Sequence, residues 1–543
     1  MLVVGAGPTG LVLAAELLAR GIRTRVIDQG DGVALQARAI GIHARTLEVL
    51  DTMGLAGRFT ECGQVVRQLR FYSRARCLTS LEFARCGSRF GYVLDLPQDQ
   101  TERLLRARIA ELGGAVEQRA ELTRLAISED AVVATVSDPA GQPRTITAGY
   151  VVGCDGAHSR VRRELGLTFR GQPYPQDWLL ADVLLGGDLP DGDLGEDAIH
   201  AFFRPDGLPL ILFPMRGHRW RLTVPFAGDR GEQAPTLAEI QHLTSQRAPR
   251  PVTLSDPTWL ASFRCHRRSA SACRRGRVLL AGDAVHIHTP AGGQGLNTGI
   301  LDAHNLGWKL ALVASGRAPD ALLDTYGAER RPVAEEVLRL THALVHYGTI
   351  SHPVKRRVRD VVVPVLGRSA VIQRRAARRI SQVYVSYPDA GPRVSDISVR
   401  AGGRAAPLHQ VLRDGRPVLV VPESSSLTAL DGLAPYRDDL VVVTAPGTGP
   451  VVLVRPDGHV AARGRPGRMH AVTGYLRELF GEPGSVPAAR PGPDVHALAL
   501  RPEQGQQLGG LRPGAAEPVR DAGVELGGLA RLHDEIVLGE PQP

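Results

Sequence analysis

The chain opens on an unbroken apolar run, Leu2-Val3-Val4, then turns through Gly5-Ala6-Gly7-Pro8-Thr9-Gly10 into a segment, 9–20, whose apolar residues recur at helical spacing. A short apolar run bounded by glycine predicts a buried strand, and the periodic segment predicts a helix. Residues 24–28 (Thr-Arg-Val-Ile-Asp) predict the next strand, so the chain begins strand–helix–strand. From about 170 to 265 the texture changes to short alternating runs, Trp178–Leu185, Leu208–Pro214 and Trp220–Pro225, which predict antiparallel strands. Residues 277–282 predict another buried strand, 293–315 a long apolar-faced helix and 326–348 a further helix. A new domain is expected from about 395, with strands at 417–421, 440–444 and 451–454 and a helix near 469–480. From 482 Pro, Gly and Ala dominate, which predicts a poorly ordered tail. The expected organisation is a nucleotide-binding segment over 1–169, a β-sheet domain over 170–265, a return to the first domain with long helices over 266–390, a further domain over 391–481 and the tail over 482–543.

Composition changes this picture little. The 543 residues exceed one compact core, and 43% hydrophobic with 22% charged residues is ordinary for a globular protein. The net charge of +9 comes almost wholly from arginine, since Lys309 and Lys355 are the two lysines. Within the Arg-rich stretch 355–379, the pairs Arg374/Arg378 and Arg375/Arg379 share a helical face, and no aromatic residues interleave to stack bases. That argues for a solvated face or a subunit contact, and against nucleic acid. The cysteines Cys62, Cys77, Cys86, Cys154, Cys265 and Cys273 form no CxxC pair and no zinc-type spacing, so no metal site is expected and a reducing cytoplasm is the default. No run reaches the roughly 18 apolar residues of a membrane span, and Glu16 with the lack of a basic start argues against a signal peptide.

Three motifs carry chemistry. Gly5-Ala-Gly7-Pro8-Thr9-Gly10 is a GxGxxG fingerprint between strand and helix. Its first glycine permits the tight turn, its second lets backbone approach a pyrophosphate, and its third lets helix pack on strand. Asp28 ends the next strand, 18 positions beyond Gly10, where a carboxylate accepts ribose hydroxyls and disfavours a 2′-phosphate; FAD and NAD both remain open on these residues alone. The second motif, Gly153-Cys-Asp155-Gly156-Ala-His-Ser159-Arg-Val-Arg162, follows the apolar strand 150–152. The third, Ala281-Gly282-Asp283-Ala284, ends a buried strand, and Pro290-Ala-Gly292-Gly293-Gln294-Gly295-Leu296-Asn297 then enters the long helix. Asp283 is thereby expected at a strand's C-terminal end, the usual ligand position in an open α/β sheet.

In this order the three motifs resemble the group A flavoprotein monooxygenases of the para-hydroxybenzoate hydroxylase type, in particular the rifampicin and pentachlorophenol monooxygenases, over roughly residues 1–480. The resemblance implies an α/β fold: a Rossmann-like FAD-binding domain, an antiparallel-sheet substrate domain and a C-terminal thioredoxin-like domain. No cysteine follows Cys273, so that last domain is expected to be structural. By the same resemblance Gly5, Gly7, Gly10 and Asp28 hold the ADP half of FAD, with Pro8 and Thr9 in the loop, and Arg38 lies near the pyrophosphate. Gln98 contacts the ribityl and phosphate region, Asp155 and Gly156 serve FAD and NAD(P)H, and Asp283 bonds the ribityl chain. Gly293, Gly295, Leu296 and Asn297 surround the flavin's pyrimidine edge, and Pro290 faces the ring. Thr289 stands where a second proline is common and Ala291 where threonine is common, which bears on substrate detail.

The implied reaction is hydroxylation of an aromatic, phenolic or polyketide-like substrate with O2 and NAD(P)H through a flavin hydroperoxide. The alternative is a reductase or dehydrogenase on the same fold. Candidate pocket residues are Arg45, His286 and Pro290, with His288 close by. A salt bridge for Arg45 and a structural hydrogen bond for His286 stand beside the pocket roles. Phe202, Phe203, Phe213 and Trp220 are expected as a mixture of core and pocket wall. Neither nucleic acid nor membrane is expected as a partner, and the chain is expected to be a monomer or homodimer.

Overall fold

The computed structural model describes residues 1–481 apart from 34–38, 74–75, 188–194, 205–208, 227, 229, 231–232, 249–250, 288, 290–291, 349–351, 426 and 466. The predicted tail 482–543 lies outside the described residues.

The predicted opening forms strand Leu2–Val4, helix Pro8–Ala19 and strand Arg25–Ile27. They belong to a six-stranded sheet in the order Arg274–Arg275, Val278–Leu280, Val151–Gly153, Leu2–Val4, Arg25–Ile27, Val116–Glu117. All neighbours run parallel except the first pair. Each apolar strand is buried on both faces, as its unbroken sequence requires. Because Leu2–Val4, Val151–Gly153 and Val278–Leu280 are adjacent and parallel, the Gly5, Asp155 and Gly282 segments that follow them emerge side by side along one edge. Segments nearly 280 positions apart are gathered by strand order alone.

One point fixes the helices over this edge. A Cβ on Gly282 would lie 2.6 Å from Thr9 Oγ1, and one on Gly299 would fall on the same atom. Further along, a Cβ on Gly307 would lie 2.9 Å from Glu16 Cβ. The long helix Gln294–Ala314 thus lies against helix Pro8–Ala19 along its glycines, and buried Glu16 is paired with His304 and Arg20.

The second sheet has eight strands, in the order His286–Ile287, Val252–Ala270, Phe169–Gly187, Arg219–Phe226, Leu210–Met215, Ala198–Phe203, Gln68–Ser73, Arg76–Glu82. Alternation gives it two different faces. Leu179, Ala181, Val183, Leu222 and Val224 pack under helix Leu237–Arg247, which a Thr236–Glu239 capping box starts. Trp178, Leu180, Phe263 and Cys265 lie on the opposite face, where Ile211 and Phe213 pack against the core of the first sheet. Phe202 and Trp220 belong to the helix-covered core, whereas Phe203 stacks on Phe71.

The Arg-rich stretch forms two helices, Pro353–Gly367 and Ala370–Ile380, the second capped by Ser369. Arg379 pairs with Glu336. Residues 398–464 build a mixed, thioredoxin-like sheet in which Val418–Pro422 runs parallel to Val441–Ala445 and antiparallel to Val451–Val454. Helix His470–Phe480 packs on it through Val472, Leu476 and Leu479, together with Trp308 of the long helix.

The Thr9 contact yields a test. Gly299→Ala is expected to destabilise the protein by about 1–3 kcal/mol through overpacking, and Thr9→Ala in the same chain is expected to restore most of that loss. Thermal or denaturant unfolding of the two single variants and the double variant measures the coupling.

Candidate functional site

The glycine fingerprint has three separate structural reasons. Gly5 adopts φ +102°, and a side chain there would run into the Cys154 carbonyl. A Cβ on Gly10 would overlap the Gly5 carbonyl oxygen. Gly7, the N-cap of helix Pro8–Ala19, has nothing within 4 Å of the place its Cβ would take, and no side chain caps the helix. The first amides of that helix therefore lack side-chain acceptors and have the positive end of the helix dipole behind them. Asp28 braces the loop from below: its carboxylate accepts the Ala6 amide at 2.6 Å and the Gly30 amide at 2.7 Å. A carboxylate has about four lone-pair positions, so two stay available.

In the neighbouring segments, Asp155 accepts from the Val161 amide at 3.0 Å, and Ser159 caps the same short helix through the Arg162 amide. Arg162 donates to the Ala284 carbonyl at 2.9 Å and to the Ala157 carbonyl at 2.7 Å, which ties the second motif to the third. Gly156 sits at φ +75° with open space beside it. Asp283 is exposed on the turn Gly282–Ala284. Gln98 opens helix Gln98–Glu111 and donates to Glu102 at 2.9 Å.

The start of the long helix is clamped from three directions. Gly292 and Gly293 adopt positive φ, +75° and +63°, so the chain enters the helix through a left-handed turn. Asn297, fully buried, donates to the Gly41 carbonyl at 2.8 Å and the Gly293 carbonyl at 2.7 Å, and accepts the His43 amide at 2.8 Å. His43 Nε2 donates to the Gly292 carbonyl at 2.8 Å, and burial pulls its imidazole down to about 4, so the ring is neutral. Gln294 donates to the Gly292 and Ile380 carbonyls and accepts from Gln382. With these side chains engaged, the first-turn amides of Gln294, Gly295 and Leu296 have no intrahelical acceptor and are free to meet a flat polar edge.

Below this turn, Asp302 accepts from His286 Nε2 at 2.7 Å, from Arg330 Nε at 2.7 Å and from the Gly282 amide at 3.2 Å. Burial pushes the Asp302 carboxyl up, yet Arg330 and His286 outweigh it and keep it below the usual carboxylate range. Facing the nucleotide sheet, strand register puts Phe213, Arg221, Asp182 and Trp259 in one row on the eight-stranded sheet. Arg221 makes a two-pronged pair with Asp182, 2.7 Å in each contact. It also donates to the Ala39 carbonyl at 3.3 Å, and its guanidinium lies 5.0 Å from the Trp259 ring centre.

Two family models match the chain: an FAD binding domain over residues 1–341, and an aromatic-ring hydroxylase C-terminal domain over residues 387–483. The chain is 34% identical over 553 aligned residues to 6-methylpretetramide 4-monooxygenase of Streptomyces rimosus, covering 91% of this chain and 97% of that one. It is 35% identical over 472 residues to rifampicin monooxygenase of Streptomyces venezuelae, covering 86% and 95%. Among solved structures, anhydrotetracycline hydroxylase from Streptomyces rimosus superposes with a TM-score of 0.77 at 34% identity, covering 89% of this chain and 99% of that one. The chain belongs to the FAD-dependent aromatic hydroxylases.

In this hydroxylase the sequence motifs Gly5–Gly10, Asp155–Gly156 and Asp283 lie on one edge of the nucleotide sheet, and Gly293–Asn297 is tied to the Gly41–His43 segment. Arg45 goes elsewhere: its guanidinium pairs with Glu48 at 3.0 Å and donates to the Asp457 carbonyl at 2.6 Å, a buried bridge to the C-terminal domain. The salt-bridge alternative for Arg45 describes what its side chain does. His286 serves as a buried partner of Asp302. Arg38, His288, Pro290 and Ala291 lie outside the described residues. No helix among the described residues is long and apolar enough to cross a membrane, and no group of three His, Cys, Asp or Glu among them is placed to hold a metal.

The motif reading missed the clamp formed by His43, Gln294, Gln382 and Asp302. A signal for Asp302 existed, since a charged residue on the apolar face of a predicted buried helix requires a partner; Gln382, at φ +57°, gave none. Asp302→Asn is expected to lower stability by about 3–5 kcal/mol, because Arg330 loses its buried counter-charge. Denaturant unfolding read by fluorescence checks this, with flavin content expected to fall in parallel.

Proposed function

We propose that this hydroxylase inserts one oxygen atom of O2 into the ring of a flat polycyclic phenol of aromatic-polyketide type, with NAD(P)H as electron donor. FAD, once bound, supplies the transfer of electrons from NAD(P)H and the activation of O2. The observation that carries the cofactor side is the clear space beside Gly7 at an uncapped helix N-terminus, with Asp28 bracing the loop. The ADP half fits there, with its pyrophosphate on the helix N-terminus and its ribose at Asp28. Arg38, Gln98 and Asp283 take the pyrophosphate and ribityl portion. Asp155 and Gly156 line its edge, where Pro8 and Thr9 fix the turn. Gly293, Gly295, Leu296 and Asn297 offer amides and a fixed backbone to the polar edge of the ring, and Pro290 borders it.

The substrate reading rests on the inward face of the segment 170–265. Trp178, Leu180, Phe213 and Phe263 make this face apolar, and Arg221 with Asp182 is a polar interruption in it. Such a face excludes water from the reacting ring and stacks an extended aromatic. The relatives are named for 6-methylpretetramide, anhydrotetracycline and rifampicin as well as for pentachlorophenol, and the extent of the apolar face is what favours the larger of these over a single phenol ring. Residues 391–481 act as a structural buttress.

Gly7→Val separates cofactor binding from folding. The extended backbone at Gly7, φ −72° and ψ 177°, suits valine, and nothing lies within 4 Å of its Cβ. Unfolding stability of the flavin-free chain is expected to stay within about 0.5 kcal/mol of the parent, while the purified variant is expected to carry no flavin by visible absorbance. Retention of flavin by Gly7→Val would contradict the site.

A further inference from the structure

Asp95 ends the strand Val93–Asp95, the centre of a three-stranded sheet between Gly41–Ile42 and Gln64–Val66. Its register partner is Gly41, whose carbonyl Asn297 binds at the start of the long helix. The side chain is 1% exposed, and among the described residues neither carboxyl oxygen has a hydrogen-bond donor. A Cβ on Gly41 would lie 3.5 Å from Asp95 Oδ1, so the carboxyl rests against that strand.

Among the described residues, the charge whose field reaches the Asp95 carboxyl is that of Arg221 from the eight-stranded sheet. Arg221 already engages Asp182 and the Ala39 carbonyl, among its partners. One guanidinium therefore confronts two buried carboxyls. Among the described residues a second carboxylate there meets no further counter-charge and no donor, so these three groups balance in charge while Asp95 keeps its proton. Burial accordingly pushes the Asp95 carboxyl up to about 8, against the pull of Arg221.

We propose that Asp95 is a proton-dependent positioning residue for the flavin-binding loop: as a neutral acid it leaves Arg221 on Asp182 and the Ala39 carbonyl, and on losing its proton it draws Arg221 off the Ala39 carbonyl and loosens the segment Ala39–His43 against the long helix. This rests on the reading that the Ala39–His43 and Gly293–Asn297 segments border FAD.

The test follows the visible spectrum and FAD retention of the purified flavoprotein from about pH 6 to about pH 10 in wild type, Asp95→Asn and Asp182→Asn. Wild type is expected to undergo a one-proton spectral change near pH 8 and to lose FAD affinity by about tenfold per pH unit above it. Asp95→Asn is expected to show neither. In Asp182→Asn, Arg221 is left with Asp95 as its carboxylate, and the transition is expected to move below about pH 6.

Unfolding gives a second readout. The folded chain keeps a proton that an unfolded aspartate loses near pH 4. Wild-type stability should therefore fall between about pH 4 and about pH 8 by an increment that Asp95→Asn lacks. A transition that survives in Asp95→Asn, or a flat wild-type profile with flavin bound, overturns the proposal alone. Wild-type protein that binds no flavin at any pH overturns the functional reading with it.

Discussion

A charge withdrawn from water has to meet its opposite, and the centre of this molecule is organised around one such charge, Asp302. It sits on the long helix, fully buried, and its two oxygens take a histidine from the strand after the Gly282 turn, an arginine from helix Asp324–Gly348 and the amide of Gly282 itself. Arg330 carries the connection on to Tyr387, beyond the long helices. The third glycine-rich motif, two long helices and the approach to the C-terminal domain are thereby referred to one carboxylate. The constraint is electrostatic: each partner satisfies the others, and loss of any leaves an uncompensated charge in a dry place.

The same logic explains why the C-terminal domain is attached so firmly. Glu329 receives Arg455 at 2.7 and 2.9 Å, Lys309 at 2.8 Å and Asn305 at 2.7 Å, and Arg455 in turn holds Asp457. Asp457 also accepts from Trp308, and its carbonyl binds Arg45. Burial pushes the Asp457 carboxyl up, but Arg455 keeps it well below the carboxylate range. The long helix supplies Asn305, Trp308 and Lys309, helix Asp324–Gly348 supplies Glu329, and the turn Arg455–His459 inserts Arg455 and Asp457 between them as a plug into the nucleotide domain. A thioredoxin-like domain without cysteines has a reason to persist here that owes nothing to dithiol chemistry.

Much of this was legible in the chain. Leu2–Val4, the Gly5–Gly10 loop and the helix after it follow from hydrophobic period and glycine placement, which are local properties. The gathering of Asp155 and Asp283 beside Gly5 was legible as a family pattern, and its physical cause, three adjacent parallel strands, is a matter of sheet order. What stayed hidden is what depends on distant partners. Arg45 reads equally as a pocket cation or a bridge until Asp457 arrives 412 positions later. Phe202, Phe213 and Trp220 look alike as aromatic residues in strands, and only register decides that Phe213 faces the nucleotide sheet while the other two lie under a helix. No motif singles out Asp95, and that its oxygens meet no donor among the described residues appears only once burial is known.

The central claim is that one oxygen atom of O2 enters an aromatic ring of the substrate. It is tested most directly by turnover of the flavin-loaded protein under isotopically labelled dioxygen with NAD(P)H and a fused-ring polyketide phenol, with the product weighed by mass spectrometry. The account predicts one labelled oxygen atom per product molecule and substrate-stimulated oxidation of NAD(P)H. An unlabelled, merely reduced or dehydrogenated product would contradict it.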